Sequence, residues 1–157
     1  AQLDHPADQR AALVLGLEAG GLLRAVDGGE AIAAFVAKPA APSEVETPRL
    51  EGALADALKH DYSHAAVAIL AELGRRRDRA VLYSHDEQAA PLVRALRHPN
   101  RRVRFGALSA IMAIDPREPY PGASHFAETL AHFSTSAGER RAIEMLRHIG
   151  PLFQLCK

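Results

Sequence analysis

Residues 88–115, QAAPLVRALRHPNRRVRFGALSAIMAID, decide the fold. Leu92, Ala95 and Leu96 fall on one stripe of a first helix. Val103, Ala107, Ala110, Ile111 and Ile114 do the same on a second. Between them His98-Pro99-Asn100 makes a tight turn: Pro99 ends the first helix and Asn100 caps the second. A hairpin of this kind has an apolar face that it cannot bury alone, so it needs neighbours of its own sort.

The neighbours stand on both sides of it. Leu50, Leu54 and Leu58 follow a Thr47 cap with Pro48 in the first helical position. Lys59-His60-Asp61 then turns the chain into a second helix carrying Ala65, Ala66, Ile69, Leu70 and Leu73, with Gly74 as its stop. After the basic connector 75–79 and a short apolar segment, Ser84 to Glu87 reads as a capping box. Downstream, the proline-rich loop 116–122 precedes a helix with Phe126, Leu130 and Phe133 on one side. Ser136 to Glu139 is another capping box, opening a helix with Ile143, Met145, Leu146 and Ile149. Upstream, residues 8–19 have helical period and stop at Gly20 and Gly21. Asp27 and Glu30 open a further stripe of Ile32, Phe35 and Val36, and residues 39–48 form a Pro-rich internal loop.

The hairpins repeat. Leu54, Leu58, His60, Ala65, Ile69 and Leu73 each recur 38 residues later as Leu92, Leu96, His98, Val103, Ala107 and Ile111. Helix-turn-helix units of that period belong to solenoids, in which each unit buries its face on the next. The segment LVRALRHPNRRVRFGALSAIMAI, with its Leu-rich first helix, Pro turn, Val103-Arg104 opening and Ala107 and Ala110, resembles a HEAT repeat of the short type known from phycobilin lyases. Residues 50–74 resemble the same unit more weakly, with Ala65-Ala66 in place of Val-Arg, so the resemblance covers 50–114. It implies a scaffold with a curved binding surface. The expected fold is all-α: a right-handed α-solenoid of antiparallel helix hairpins, about three and a half repeats long. It forms a single domain over residues 1–157, read as a fragment of a longer protein because the first residue is Ala.

Composition agrees with helices and narrows the chemistry. Apolar residues make up 48% of the 157, but aromatics only 5%, with no Trp. Small and unbranched side chains favour helices that approach closely. Nineteen basic residues balance nineteen acidic ones, so net charge points to no polyanion as a bulk partner. The single Cys156 excludes an internal disulfide framework and fits a reducing, cytoplasmic location. No apolar run is long enough for a bilayer, and no membrane partner is expected.

Candidate chemistry is sparse. His60 and His64 straddle a turn without the Glu of HExxH; His125, Glu128 and His132 share a helix face but read as solvated side chains. No GxSxG or phosphate loop occurs, so the expectation is a non-catalytic chain without metal or cofactor. The arginines are more informative, because within-hairpin turns line one edge of a solenoid. Lys59, His60 and His64 belong to one such turn, Arg97, His98, Arg101, Arg102 and Arg104 to the next, and Arg140 and Arg141 to the third. Five arginines between residues 94 and 104, with no acid among them, make this edge the densest positive stretch.

Two functions follow. The first is a protein-protein interaction scaffold using the second helices, with Glu72, Arg104, Leu108 and Glu144 meeting the partner. The alternative is nucleic-acid or phosphate-ligand binding through the basic edge, similar in outline to the HEAT-like alkylpurine DNA glycosylases. Those enzymes also need a catalytic acid and base-stacking aromatics; with no Trp and few exposed aromatic candidates, glycosylase activity is not expected of this chain. Phosphate binding through the edge would be steeply salt-dependent.

Overall fold

The computed structural model describes residues 6–24, 42–83 and 89–136. These residues form six α-helices, joined by short 3-10 turns, and contain no strand. The helices are α1 (Pro6–Arg24), α2 (Thr47–Lys59), α3 (Ser63–Arg76), α4 (Pro91–Arg94), α5 (Arg101–Ile114) and α6 (Ala123–Ser136). They pack in two rows. Helix α3 lies between α1 and α5, its most extensive neighbour; α2 lies beside α4, and α4 beside α6.

The apolar stripes make the core. Leu50, Leu54, Ile69, Leu70, Leu73, Leu92, Leu96 and Ile111 are fully buried, as are Val103 and Ala107. Every pair related by the 38-residue offset is therefore buried on both sides, except Leu58 with Leu96 and His60 with His98. Leu58 is half-buried, and His60 is exposed where His98 is buried within its turn. Gly74 lies against Ala110 where α3 and α5 cross, a contact only a residue without a side chain permits.

Several boundaries differ from the sequence reading. Helix α1 runs through Gly20 and Gly21 to Arg24, because Gly21 is where the His64 side chain of α3 rests on it. Helix α3 continues past Gly74 to Arg76 and closes at Arg77, which takes the left-handed conformation with φ 54°. Thr47 is already helical. Glu46 is the cap residue, its carbonyl accepts from the Leu50 amide at 3.1 Å, and the Thr47 hydroxyl faces Arg76 instead. The first helix of the central hairpin is one α-turn followed by a 3-10 turn over Ala95–Arg97. His98 must be extended before Pro99, and its ψ is 140°. On α6, Phe133 is buried but Leu130 is exposed; Thr129 takes the inward position and donates to the Leu96 carbonyl at 3.3 Å. The expected elements over 25–38, 84–87 and 137–149 lie outside the described residues.

Polar groups from distant segments complete the helix ends. Asn100 Oδ1 accepts from the Arg102 amide at 2.9 Å, as the sequence indicates. Helix α3 has no side-chain cap of its own at Tyr62. Glu18 of α1 supplies one: its Oε2 accepts from the Ala65 amide at 2.9 Å, and its Oε1 lies 3.1 Å from His64 Nδ1. At the other end of α3, Glu72 is buried between Arg75 and Arg76, at 2.7 and 2.8 Å.

The Arg75 hydrogen bonds outweigh burial and, with Arg76, hold the Glu72 carboxyl at about 2, below its ordinary 4.5. A depressed carboxyl stabilises the fold above its unfolded pKa, and the contribution disappears as pH falls through the folded one. Stability should therefore decline between about pH 4.5 and about pH 2. The contribution is on the order of 1–2 kcal/mol, because Arg75 is exposed and solvent screens part of the pair. Urea midpoints measured across that range should fall less steeply for Glu72→Gln than for wild type. Equal slopes would dismiss the pair as a source of acid sensitivity.

Candidate functional site

The turns of the two central hairpins do lie together, and the structure sorts their cations into those already occupied and those still available. His98 is occupied. Its ring is nine-tenths buried; Nδ1 accepts from the Asn100 amide at 3.1 Å, so the ring proton is on Nε2, 3.2 Å from Asp61 Oδ1 in the preceding turn. Asp61 reaches it from a left-handed backbone, φ 57°. His98 is thus a peg between two turns.

Arg104 is occupied as well. Its Nη1 donates to the carbonyls of His98 and Pro99, both at 2.9 Å, and so closes its own turn. Arg101 sets its guanidinium 5.4 Å from the centre of the Phe133 ring, a cation-π contact between α5 and α6. Arg97 and Arg102 are exposed. Arg140 and Arg141 lie outside the described residues, as does Glu144. Of the other residues expected to meet a partner, Leu108 is fully buried in the core and Glu72 is bound by two arginines. Helix periodicity placed Leu108 on an outer face, but its immediate neighbour Ala107 is also inward, and α5 is enclosed from more than one side.

An open cleft of about 420 Å³ runs between the end of α2 and the α4 turn. Lys59, Arg94 and Arg97 line it with Asp56, Leu58 and Pro99. Among the described residues these three cations have no hydrogen-bonding or ion-pair partner through their side chains. Asp56, the one carboxylate of the lining, has Arg10 Nε of α1 at 3.7 Å. Lys59 and Arg97 sit in the last turns of their helices, where the dipole favours a cation. Arg94 was not singled out in the sequence. The signal was present: Asp56 and Lys59 recur 38 residues later as Arg94 and Arg97, so equivalent repeat positions face the same cleft.

The other described histidines divide among ordinary contacts. His60 stacks on Tyr62 at 5.8 Å, His64 pairs with Glu18, His125 lies 3.5 Å from Glu128, and His132 meets Phe133 edge-on. No group of three metal-ligating side chains occurs among the described residues. No helix among them is long and apolar enough to cross a membrane. Comparison with protein-family models, with curated proteins and with solved structures returns no match.

Proposed function

We propose that the chain is a HEAT-like α-solenoid module that binds a protein partner and carries out no reaction. The two-row packing and the 38-residue register support the solenoid reading. The observation that carries the binding role is on α5, where Phe105 and Met112 are 41% and 37% exposed. Their counterparts 38 residues earlier are Val67 and Gly74. Those are residues through which α3 receives α5: Val67 lies 3.9 Å from the Cβ position of Gly106, and Gly74 lies on Ala110. Helix α5 thus presents to solvent the face that α3 buries, a surface shaped to receive a helix.

A photo-crosslinker at position 105, in extracts of cells that make the chain, tests this. One defined partner should crosslink at 105 and not from Glu118. Phe105→Glu with Met112→Glu should weaken its binding about tenfold or more, and Met112→Glu alone should weaken it with the thermal melt in place, since Phe105 also meets the buried Phe133 edge-on at 5.4 Å. Crosslinks confined to residues 137–149 would assign the face to the chain's own next hairpin and remove this reading. Turnover of any bound ligand would remove it too.

A further inference from the structure

We propose that the cleft between α2 and α4 is a receptor for a phosphomonoester dianion carried on a phosphorylated side chain of a protein partner. The proposal shares with the preceding one only the premise that the chain binds; it does not use the α5 face.

Three observations carry it. Lys59, Arg94 and Arg97 come from two hairpins and line one concavity, without side-chain partners among the described residues. Cations at adjacent helix positions repel one another, so an anion between them relieves a cost already present. The lining has three cations against the single carboxylate of Asp56, and that carboxylate has Arg10 of α1 at 3.7 Å. A dianion offsets most of the remaining positive charge, and guanidinium forks match its oxygens bidentately.

The third observation is shape and neighbourhood. A cleft of about 420 Å³ accommodates one phosphoryl group with the side chain bearing it. Leu58, Ala55 and Pro99 provide an apolar floor for the aliphatic part. A nucleic-acid strand would instead need a continuous row of cations along the backbone and aromatic faces for bases. That row is interrupted, since Arg104 closes its own turn, and the one aromatic ring of the lining, the His98 imidazole, is nine-tenths buried and pegged between Asp61 and Asn100.

The test uses the full chain and the side-chain Nε–Hε signals of its arginines in NMR spectra. Inorganic phosphate, added against chloride at matched ionic strength, should shift the Arg94 and Arg97 signals saturably. A short phosphoserine peptide should do so at lower concentration, and its unphosphorylated form should not. Arg94→Gln and Arg97→Gln should each weaken phosphopeptide binding by about tenfold, the loss of one charge-assisted contact. Both positions are exposed, so the thermal melt reports whether folding is retained; Arg102→Gln should bind normally. Absence of saturable shifts overturns the proposal, and leaves the α5 crosslinking result untouched. Tighter binding of a single-stranded oligonucleotide, with shifts spreading to Arg101 and Arg102, also overturns it and makes nucleic acid the ligand.

Discussion

Gly74→Ala should destabilise the chain, although helix propensity alone favours alanine by about 1 kcal/mol. The added Cβ would stand 2.9 Å from the Ala110 Cα and 3.2 Å from its Cβ. Backbone cannot step aside as a flexible side chain does, so α5 must move as a body. That helix carries Val103, Ala107, Leu108 and Ile111 into the core, and shifting it loosens each of them. Overpacking of this kind costs about 1–3 kcal/mol. For a chain of this length each kcal/mol lowers the Tm by roughly 2–4 °C. Gly106→Ala is the matched control in the same interface. Its Cβ would meet the Leu70 Cδ1 at 3.4 Å, an ordinary contact with the end of a flexible side chain. Thermal and urea denaturation should show opposite signs for the two variants. If both stabilise, α3 and α5 do not approach this closely.

Arg76→Ala should cost about 3 kcal/mol, more than any single exposed ion pair contributes. The Arg76 guanidinium ties α3 to the segment preceding α2. Its Nη2 donates to the carbonyls of Pro42, at 2.9 Å, and Val45, and its Nη1 donates to the Thr47 hydroxyl at 3.1 Å. Nε holds Glu72 at 2.8 Å. Removing it takes the side-chain donor from the Val45 carbonyl and the Thr47 hydroxyl, leaves the Pro42 carbonyl only the Val45 amide at 3.3 Å, and leaves the buried Glu72 to the exposed Arg75 alone. Amide exchange over residues 42–50 should rise together with the fall in Tm. Arg76→Lys should recover little, because one ammonium cannot reach these acceptors in the planar arrangement of the fork. Unchanged exchange in Arg76→Ala would show that 42–47 is held by α2 and not by this side chain.

Much of the architecture was legible along the chain. The stripes of the central hairpin and of 65–73 are buried as read, and Asn100 caps α5. Gly20, Gly21 and Gly74 look like helix stops in the sequence, yet α1 and α3 run through them. A glycine that ends a helix and one that lets two helices touch look the same in one dimension; only the packing of Gly21 on His64 and of Gly74 on Ala110 separates them. Leu130 and Thr129 exchanged places for a similar reason, since adjacent positions on α6 are distinguished by what α4 and its 3-10 turn offer them.

Helical periodicity depends on residues three and four apart, so the helices, the buried stripes and the 38-residue register could be read without a structure. Which charged groups are committed depends on partners elsewhere in the chain. Glu18 caps α3 from 47 residues away, Arg76 reaches the Pro42 carbonyl 34 residues back, and Asp61 pegs His98 across two turns. A hydrogen bond formed at that separation leaves no periodic trace. Hence the density of arginines between 94 and 104 could be read along the chain, but only folding showed that Arg104 and His98 are engaged within the chain while Lys59, Arg94 and Arg97 line one open cleft.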